Sequence, residues 1–337
     1  MPRGSAEEVT GLKVDAPVEC VIDAHVHMPL LRSTKEVNDY IKGLVTAGVR
    51  GAVIIGIPPF KEVLSGITLD EVVKEHERVR PLIEKYAADL MDQLQPEALY
   101  LSAVRLAEEF CTFSRHPQLS AMSNFAPVFP ANLSLSPDDL ASVLEAAAAR
   151  GFRGFKVIST LFLQHLDSPQ VGAVLEVAEE RGLPVVVHGG CDPGIWELPR
   201  FCKYGDPSRL EAHLRDHRDA TVIIAHAGGY SAIAPGVFFE ETLALARSFS
   251  NVYVDTSALP PALVTYVLRD FPQDRVLFGS DYPAVSNSDL RQYVEEVFLH
   301  VMEARPPKKV LESYSHGLAE SIFKLSCLTD LYERVSL

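Results

Sequence analysis

Eight short runs of apolar, mostly β-branched residues recur along the chain, and most are followed by a stretch with the apolar spacing of a helix. They are CVIDAH (20–25), GAVIIGI (51–57), NFAPVFP (124–130), GFKVI (154–158), PVVVH (184–188), TVIIAH (221–226), NVYVD (251–255) and RVLFG (275–279). Gly, Pro, Asn or Asp bounds each run, as strand ends require. Unbroken Val/Ile runs suit strands covered on both faces of a parallel sheet, whereas a half-exposed sheet would alternate apolar with polar. Eight such strands interleaved with helices predict one closed (β/α)8 barrel, the TIM-barrel architecture. The 337 residues, 47% hydrophobic, are enough for one barrel domain over 19–337 behind a frayed, polar tail at 1–18.

The helices expected between the strands cover 34–48, 136–150, 169–182, 207–217, 236–248, 260–270 and 288–303, with two more near 308–326. Ser136-Pro137-Asp138 offers an N-cap followed by proline in the first helical position. Even spacing breaks at 58–123, where amphipathic stretches at 69–93 and 96–115 form a helical insertion between the second and third strands. An insertion of that length serves as a lid, a substrate wall or an oligomer surface, so a homo-oligomer stays open.

Charge and apolar patterning exclude whole classes of partner. Lys plus Arg total 31 against 45 Asp plus Glu, a formal charge of −14 without any basic run, which repels nucleic acid and anionic lipid. No apolar stretch approaches the roughly 18 residues a membrane helix needs, and the N-terminus lacks an apolar signal core. The five cysteines, at 20, 111, 191, 202 and 327, are scattered without CxxC spacing, which predicts no disulfide framework and a reducing cytoplasm. A small molecule is the expected partner.

Ligand-type residues gather at the predicted strand ends. The first run continues into Asp23-Ala24-His25-Val26-His27, and strand alternation turns His25 and His27 to one side. His188 and His226 end two other runs, and Asp281 follows a third by two residues. A lone histidine in such a place is more often structural. Five at the C-terminal edge of one barrel, where its reaction centre lies, form a site for a divalent metal. Nitrogen and oxygen donors suit Zn, and also Mn, Fe or Co; one ion is expected, with a second left open. Asp281 is placed to accept the proton of an attacking water, and His226 to polarise the scissile carbonyl or orient that water.

Lys156 puts an amine inside the barrel and has three readings: a carbamylated bridge between two metals, a cation for a substrate carboxylate or oxyanion, or a structural lysine paired with a neighbouring carboxylate such as Asp255. In the loop after the fifth strand, Trp196 either stacks on a flat substrate or anchors the loop. Arg200, with Lys203, Arg32 and Lys61, offers a positive edge suited to a carboxylate-bearing substrate. Cys191 reads as a pocket-lining thiol, and His165 as a group supporting the site.

The motifs DAHVH, GFRGFKV, PVVVHGG, VIIAHAGG, NVYVDTS and LFGSDYP resemble, in order, the strand-end motifs of the amidohydrolase superfamily. They are closest to its amidohydrolase-related (amidohydrolase 2) branch, with the aminocarboxymuconate semialdehyde decarboxylase-like enzymes, and the likeness runs from about Val21 to Asp289. The resemblance implies that His25, His27, His188 and Asp281 are metal ligands, and that His226 positions the water or holds a second metal. One departure is Ser313-Tyr314-Ser315-His316, where such enzymes often carry an asparagine. The expected activity is metal-dependent hydrolysis of an amide, lactone or ester of a small carboxylate-bearing compound. Non-oxidative decarboxylation at the same metal is the alternative. A catalytically silent barrel retained for binding is a third class, against which the full ligand set counts.

Overall fold

A computed structural model describes residues 18, 20–27, 33–58, 67–86, 88–110, 124–283 and 289–327. The tail at 1–17, Arg32, Lys61, Cys111 and parts of the insertion lie outside the described residues. Eight strands form one sheet in sequence order: β1 (Val21–His27), β2 (Val49–Ile55), β3 (Phe125–Pro130), β4 (Phe155–Val157), β5 (Val185–Val187), β6 (Val222–Ile224), β7 (Val252–Asp255) and β8 (Val276–Leu277). Every neighbouring pair along that order is parallel. The sheet closes where Val26 bridges Tyr282 in parallel and Ala24 N–H donates to the Phe278 carbonyl at 2.9 Å. All eight predicted strands are present, and the protein is a (β/α)8 barrel.

Alternation along each strand builds two cores. Ile22, Ala24, Val53, Ala126, Val128, Val186, Ile223 and Leu277 fill the barrel interior, closed below by Ala319 and Phe323. Their strand neighbours, among them Ile54, Phe155, Val157, Val185, Val187, Val222, Ile224 and Val254, face outward against the helices. Fully burying one such side chain contributes about 1.5–3 kcal/mol, so the double layer dominates stability. Ser136 caps the helix Pro137–Ala149 by accepting from Asp139 N–H, and Ser33 with Glu36 forms a capping box at Thr34–Thr46.

The insertion supplies the helices Leu69–Tyr86 and Pro96–Phe110. Its Val72, Val79, Ile83, Leu99 and Ala103 pack with Ile158 and Leu161 after β4 and with Ile195, Trp196, Leu198 and Phe201 after β5. It is therefore a wall resting on the loops of the reaction face.

The cysteines correct the sequence reading. Cys20 pairs with Cys327 and Cys191 with Cys202, with Cα separations of 6.2 and 4.6 Å inside the disulfide range. Barrel closure brings the first strand to the terminal segment, a proximity that sequence spacing does not reveal. The reducing-compartment argument loses its footing accordingly. Among the described residues no helix is long and apolar enough to cross a membrane.

Candidate metal centre

The ends of five strands deliver the predicted residues to one cavity. His25 and His27 come from β1, Lys156 from β4, His188 from just past β5, His226 from just past β6 and Asp281 from beyond β8. All line a buried cavity of about 30 Å³, room for about two water-sized groups. Ring centroids of His25 lie 5.2 Å from those of His27 and 5.0 Å from those of His226, which is 5.0 Å from His188.

Hydrogen bonds behind the rings decide which nitrogen faces inward. His27 Nδ1 lies 3.0 Å from the Ile55 carbonyl and His226 Nδ1 3.0 Å from the Ser257 carbonyl. A carbonyl only accepts, so each Nδ1 carries a proton, and in the neutral ring, the form that binds a metal, the lone pair is left on Nε2. His25 Nδ1 donates to Asp255 Oδ2 at 2.8 Å with the same result. Asp255 is fully buried, and its other oxygen accepts from His226 N–H at 2.9 Å, from Ser257 N–H at 3.1 Å and from the Ser257 hydroxyl. One carboxylate thus ties β1, β6 and β7 together. Burial opposes its charge, but His25, His226 and Ser257 outweigh burial and hold it below the usual carboxylate range. Burial and the nearby Lys156 push His25 down to about 3, so its ring is neutral.

Asp281 Oδ1 sits 3.0 Å from His27 Nε2 and 3.3 Å from His25 Nε2. Donor atoms of His25, His226 and Asp281 all fall within 4.8 Å of one another. Burial pushes the Asp281 carboxyl up, yet the rings of His27, His25 and His226 around it outweigh burial and bring it to about 2. Neutral imidazoles with inward lone pairs beside an ionised carboxylate are what a divalent cation requires, with the outer hydrogen bonds that orient such ligands already in place. His188 Nε2, buried and without a hydrogen-bond partner among the described residues, fits the same demand. The donor set therefore suits a divalent metal. His226 (φ 57°) and Asp281 (φ 64°) hold left-handed backbone conformations that aim both inward.

Lys156 is 1% exposed, and its Nζ approaches His25 Nε2 at 3.5 Å. Burial lowers its pKa, while Asp255, Asp281 and Asp192 raise it. The Asp255 ion pair, one of the three readings of Lys156, is not formed among the described residues: one Asp255 oxygen is taken by His25 and the other by β6 and β7.

Trp196 and Arg200 do not reach the cavity. Trp196 is wholly buried between the insertion and the β5 loop, an anchor and not a stacking platform. The Arg200 guanidinium turns outward to Glu71 at 3.6 Å and over the Phe201 ring. Lys203 lies over the Tyr204 ring, His165 packs against that same ring, and Cys191 is bonded to Cys202 instead of free. The expected positive edge is thus absent at the described positions.

Two polar cavity residues were not singled out in the sequence: Asp192, four residues past His188, and Tyr230, four past His226. Gly190 allows their loops to meet. Its φ is 124°, and a Cβ there would overlap the Tyr230 backbone. Cys191 N–H then donates to the Tyr230 carbonyl at 2.6 Å. Asp192 is buried, which pushes its carboxyl up to about 6 against the Thr160 hydroxyl and Lys156. The Gly-Gly pairs after His188 and His226 were the available signal that backbones meet there.

A model of the family described as Amidohydrolase matches residues 22–325. No curated protein sequence matches the chain. Solved structures with a similar fold include 2,6-dihydroxybenzoate decarboxylase from Rhizobium, at 14% identity and TM-score 0.53 over 91% of this chain and 99% of that one. A probable 2-pyrone-4,6-dicarboxylic acid hydrolase from Acinetobacter baumannii, with citric acid bound, is 13% identical with TM-score 0.53 over 90% and 99%. 5-Carboxyvanillate decarboxylase from Novosphingobium aromaticivorans, complexed with manganese and 4-hydroxy-3-methoxy-5-nitrobenzoic acid, is 13% identical with TM-score 0.51 over 91% and 95%.

Proposed function

The chain belongs to the amidohydrolase family, and from that premise we propose that it is a metal-dependent hydrolase cleaving an amide, lactone or ester of a small carboxylate-bearing compound. One observation carries the reading: the outer hydrogen bonds lock His25, His27 and His226 so that their Nε2 lone pairs converge around Asp281. His25, His27, His188 and Asp281 hold one divalent ion, Zn or Mn, and His226 is left for the reaction. Such an ion supplies Lewis acidity and a water acidic enough to lose a proton near neutral pH. Asp281 takes the proton of the attacking water and returns it to the departing nitrogen or oxygen. His226 Nε2 orients that water against the scissile carbonyl. Lys156, buried beside His25, holds the substrate carboxylate and draws such compounds into an acidic protein. The walls of Ile57, Ile158, Leu161 and Pro193 exclude bulk water.

Decarboxylation is the second reading, favoured by the names of two of the three compared structures. It uses the same donors, with Asp281 taking a proton from solvent and passing it to the substrate carbon that loses CO2.

Protein passed through gel filtration without added metal is expected to carry close to one transition-metal ion per chain by elemental analysis. Metal-free protein that also takes up neither Zn nor Mn on titration would overturn the assignment. Turnover of a panel of lactones, amides and aromatic carboxylates in 18O-water separates the two reactions. Hydrolysis places 18O in the product acid. Release of CO2 with solvent hydrogen on carbon and no cleaved acyl bond would replace the hydrolase reading with the decarboxylase.

A further inference from the structure

Asp192 belongs to none of the strand-end motifs, yet it lies in the same cavity, 7% exposed. Its Oδ2 accepts from the Thr160 hydroxyl after β4. That anchor leaves Oδ1 facing His188 Nε2 at 3.4 Å, and this Nε2 is the buried nitrogen without a hydrogen-bond partner among the described residues. The loop carrying Asp192 is fixed on both sides. Gly190 N–H donates to the Gly205 carbonyl at 3.1 Å, Cys191 N–H to the Tyr230 carbonyl, and Cys191 is bonded to Cys202. The carboxylate is therefore held in place by the backbone and not drawn in by chance.

We propose that Asp192 is a further ligand of the metal, through Oδ1, and that it tunes the centre toward a hard ion with five or more donors, Mn2+ over Zn2+. This rests on the metal-centre reading above. Two donors bonded to one ion at about 2.0–2.2 Å lie roughly 2.8–3.6 Å apart at the usual bond angles. The His188–Asp192 spacing of 3.4 Å falls in that range, as do the 3.0 and 3.3 Å that separate Asp281 from His27 and His25. Charge favours the same arrangement. With Asp281 alone, a divalent ion leaves one uncompensated positive charge buried beside the Lys156 amine. A second carboxylate brings the donor charge to −2 and neutralises the ion, which lowers the cost of holding it out of water. Zn2+ is content with four donors, whereas an added carboxylate suits the harder Mn2+, which accepts more oxygen ligands.

The test compares wild type with Asp192→Asn and Thr160→Val after chelator stripping, titrating MnCl2 by the Mn2+ paramagnetic resonance signal and ZnCl2 against a chromophoric chelator. Asp192→Asn keeps the Thr160 contact but offers a poor ligand. It is expected to weaken Mn2+ binding about 10- to 100-fold and Zn2+ binding far less, because Zn2+ keeps its four other donors. Thr160→Val, which keeps the carboxylate and removes its anchor, gives a smaller loss in the same direction. Loading with Co2+ supplies a readout independent of affinity: visible absorption intensifies in Asp192→Asn as the coordination number falls. Unchanged Mn2+ affinity in both variants, with an unchanged Co2+ spectrum, would overturn the proposal while leaving the metal centre standing. Wild-type protein that binds neither Mn2+ nor Zn2+ would instead remove the metal centre itself.

Discussion

Asp281→Asn is expected to lower turnover per bound ion by about 10²- to 10⁴-fold, the usual scale for losing a general base. Asn matches the carboxylate in shape but cannot take a proton from water at neutral pH. The fold should survive for a specific reason. Asp281 sits at φ 64°, a left-handed conformation that Asn tolerates better than most residues. Its backbone N–H, donating to the His25 carbonyl at 2.8 Å, is untouched by the change. Metal affinity should fall as well, because Oδ1 faces both His25 and His27, so rates are normalised to metal measured on the same sample. Near wild-type turnover per ion, in a variant with unchanged circular dichroism and melting temperature, would show that the proton travels by another group.

The second large effect separates positioning of the water from metal binding. His226→Asn should cost at least about 10²-fold in turnover, comparable to removing one donor that steadies developing charge, while the metal-to-protein ratio stays near one. His226 also holds a left-handed conformation, φ 57°, and its backbone N–H to Asp255 does not depend on the imidazole. The ratio is the decisive number, because His226 stands close enough to His25 and Asp281 to be a ligand itself. Wild-type protein near two ions, dropping to one in the variant, would make His226 a ligand of a second ion and return Lys156 to the bridging role. Turnover at the wild-type rate would remove His226 from the reaction altogether.

The barrel was legible because strands covered on both faces must be apolar throughout, and all eight runs of that kind became strands. The later strands are shorter than their runs: β6 ends at Ile224, with Ala225 and His226 already turning into the loop, and β8 keeps only Val276 and Leu277. There the ladder gives way to the conformations that aim His226 and Asp281 inward. Lys156 was expected inside the barrel and is found there, because alternation about Phe155 and Val157 leaves it no other direction. What failed to show in the sequence depends on which loops meet. Asp192 and Tyr230 enter the cavity because Gly190 lets two loops touch, while Trp196 and Arg200 are drawn away by the insertion, through burial in one case and Glu71 in the other. The disulfides share this origin, since barrel closure, and not spacing along the chain, sets Cys20 beside Cys327.

The Asp255 carboxylate bears on how such a molecule can diversify. Because one side chain sets the tautomer of His25 and the backbone of His226, the reactive groups owe their poise to a position outside the cavity lining. The residues that would meet a substrate, such as Ile57, Leu161 and Tyr230, arise from separate loops on the opposite side. Substitutions in those loops can therefore rework what the chain recognises, loop by loop, while the hydrogen bonds that Asp255 makes stay in place.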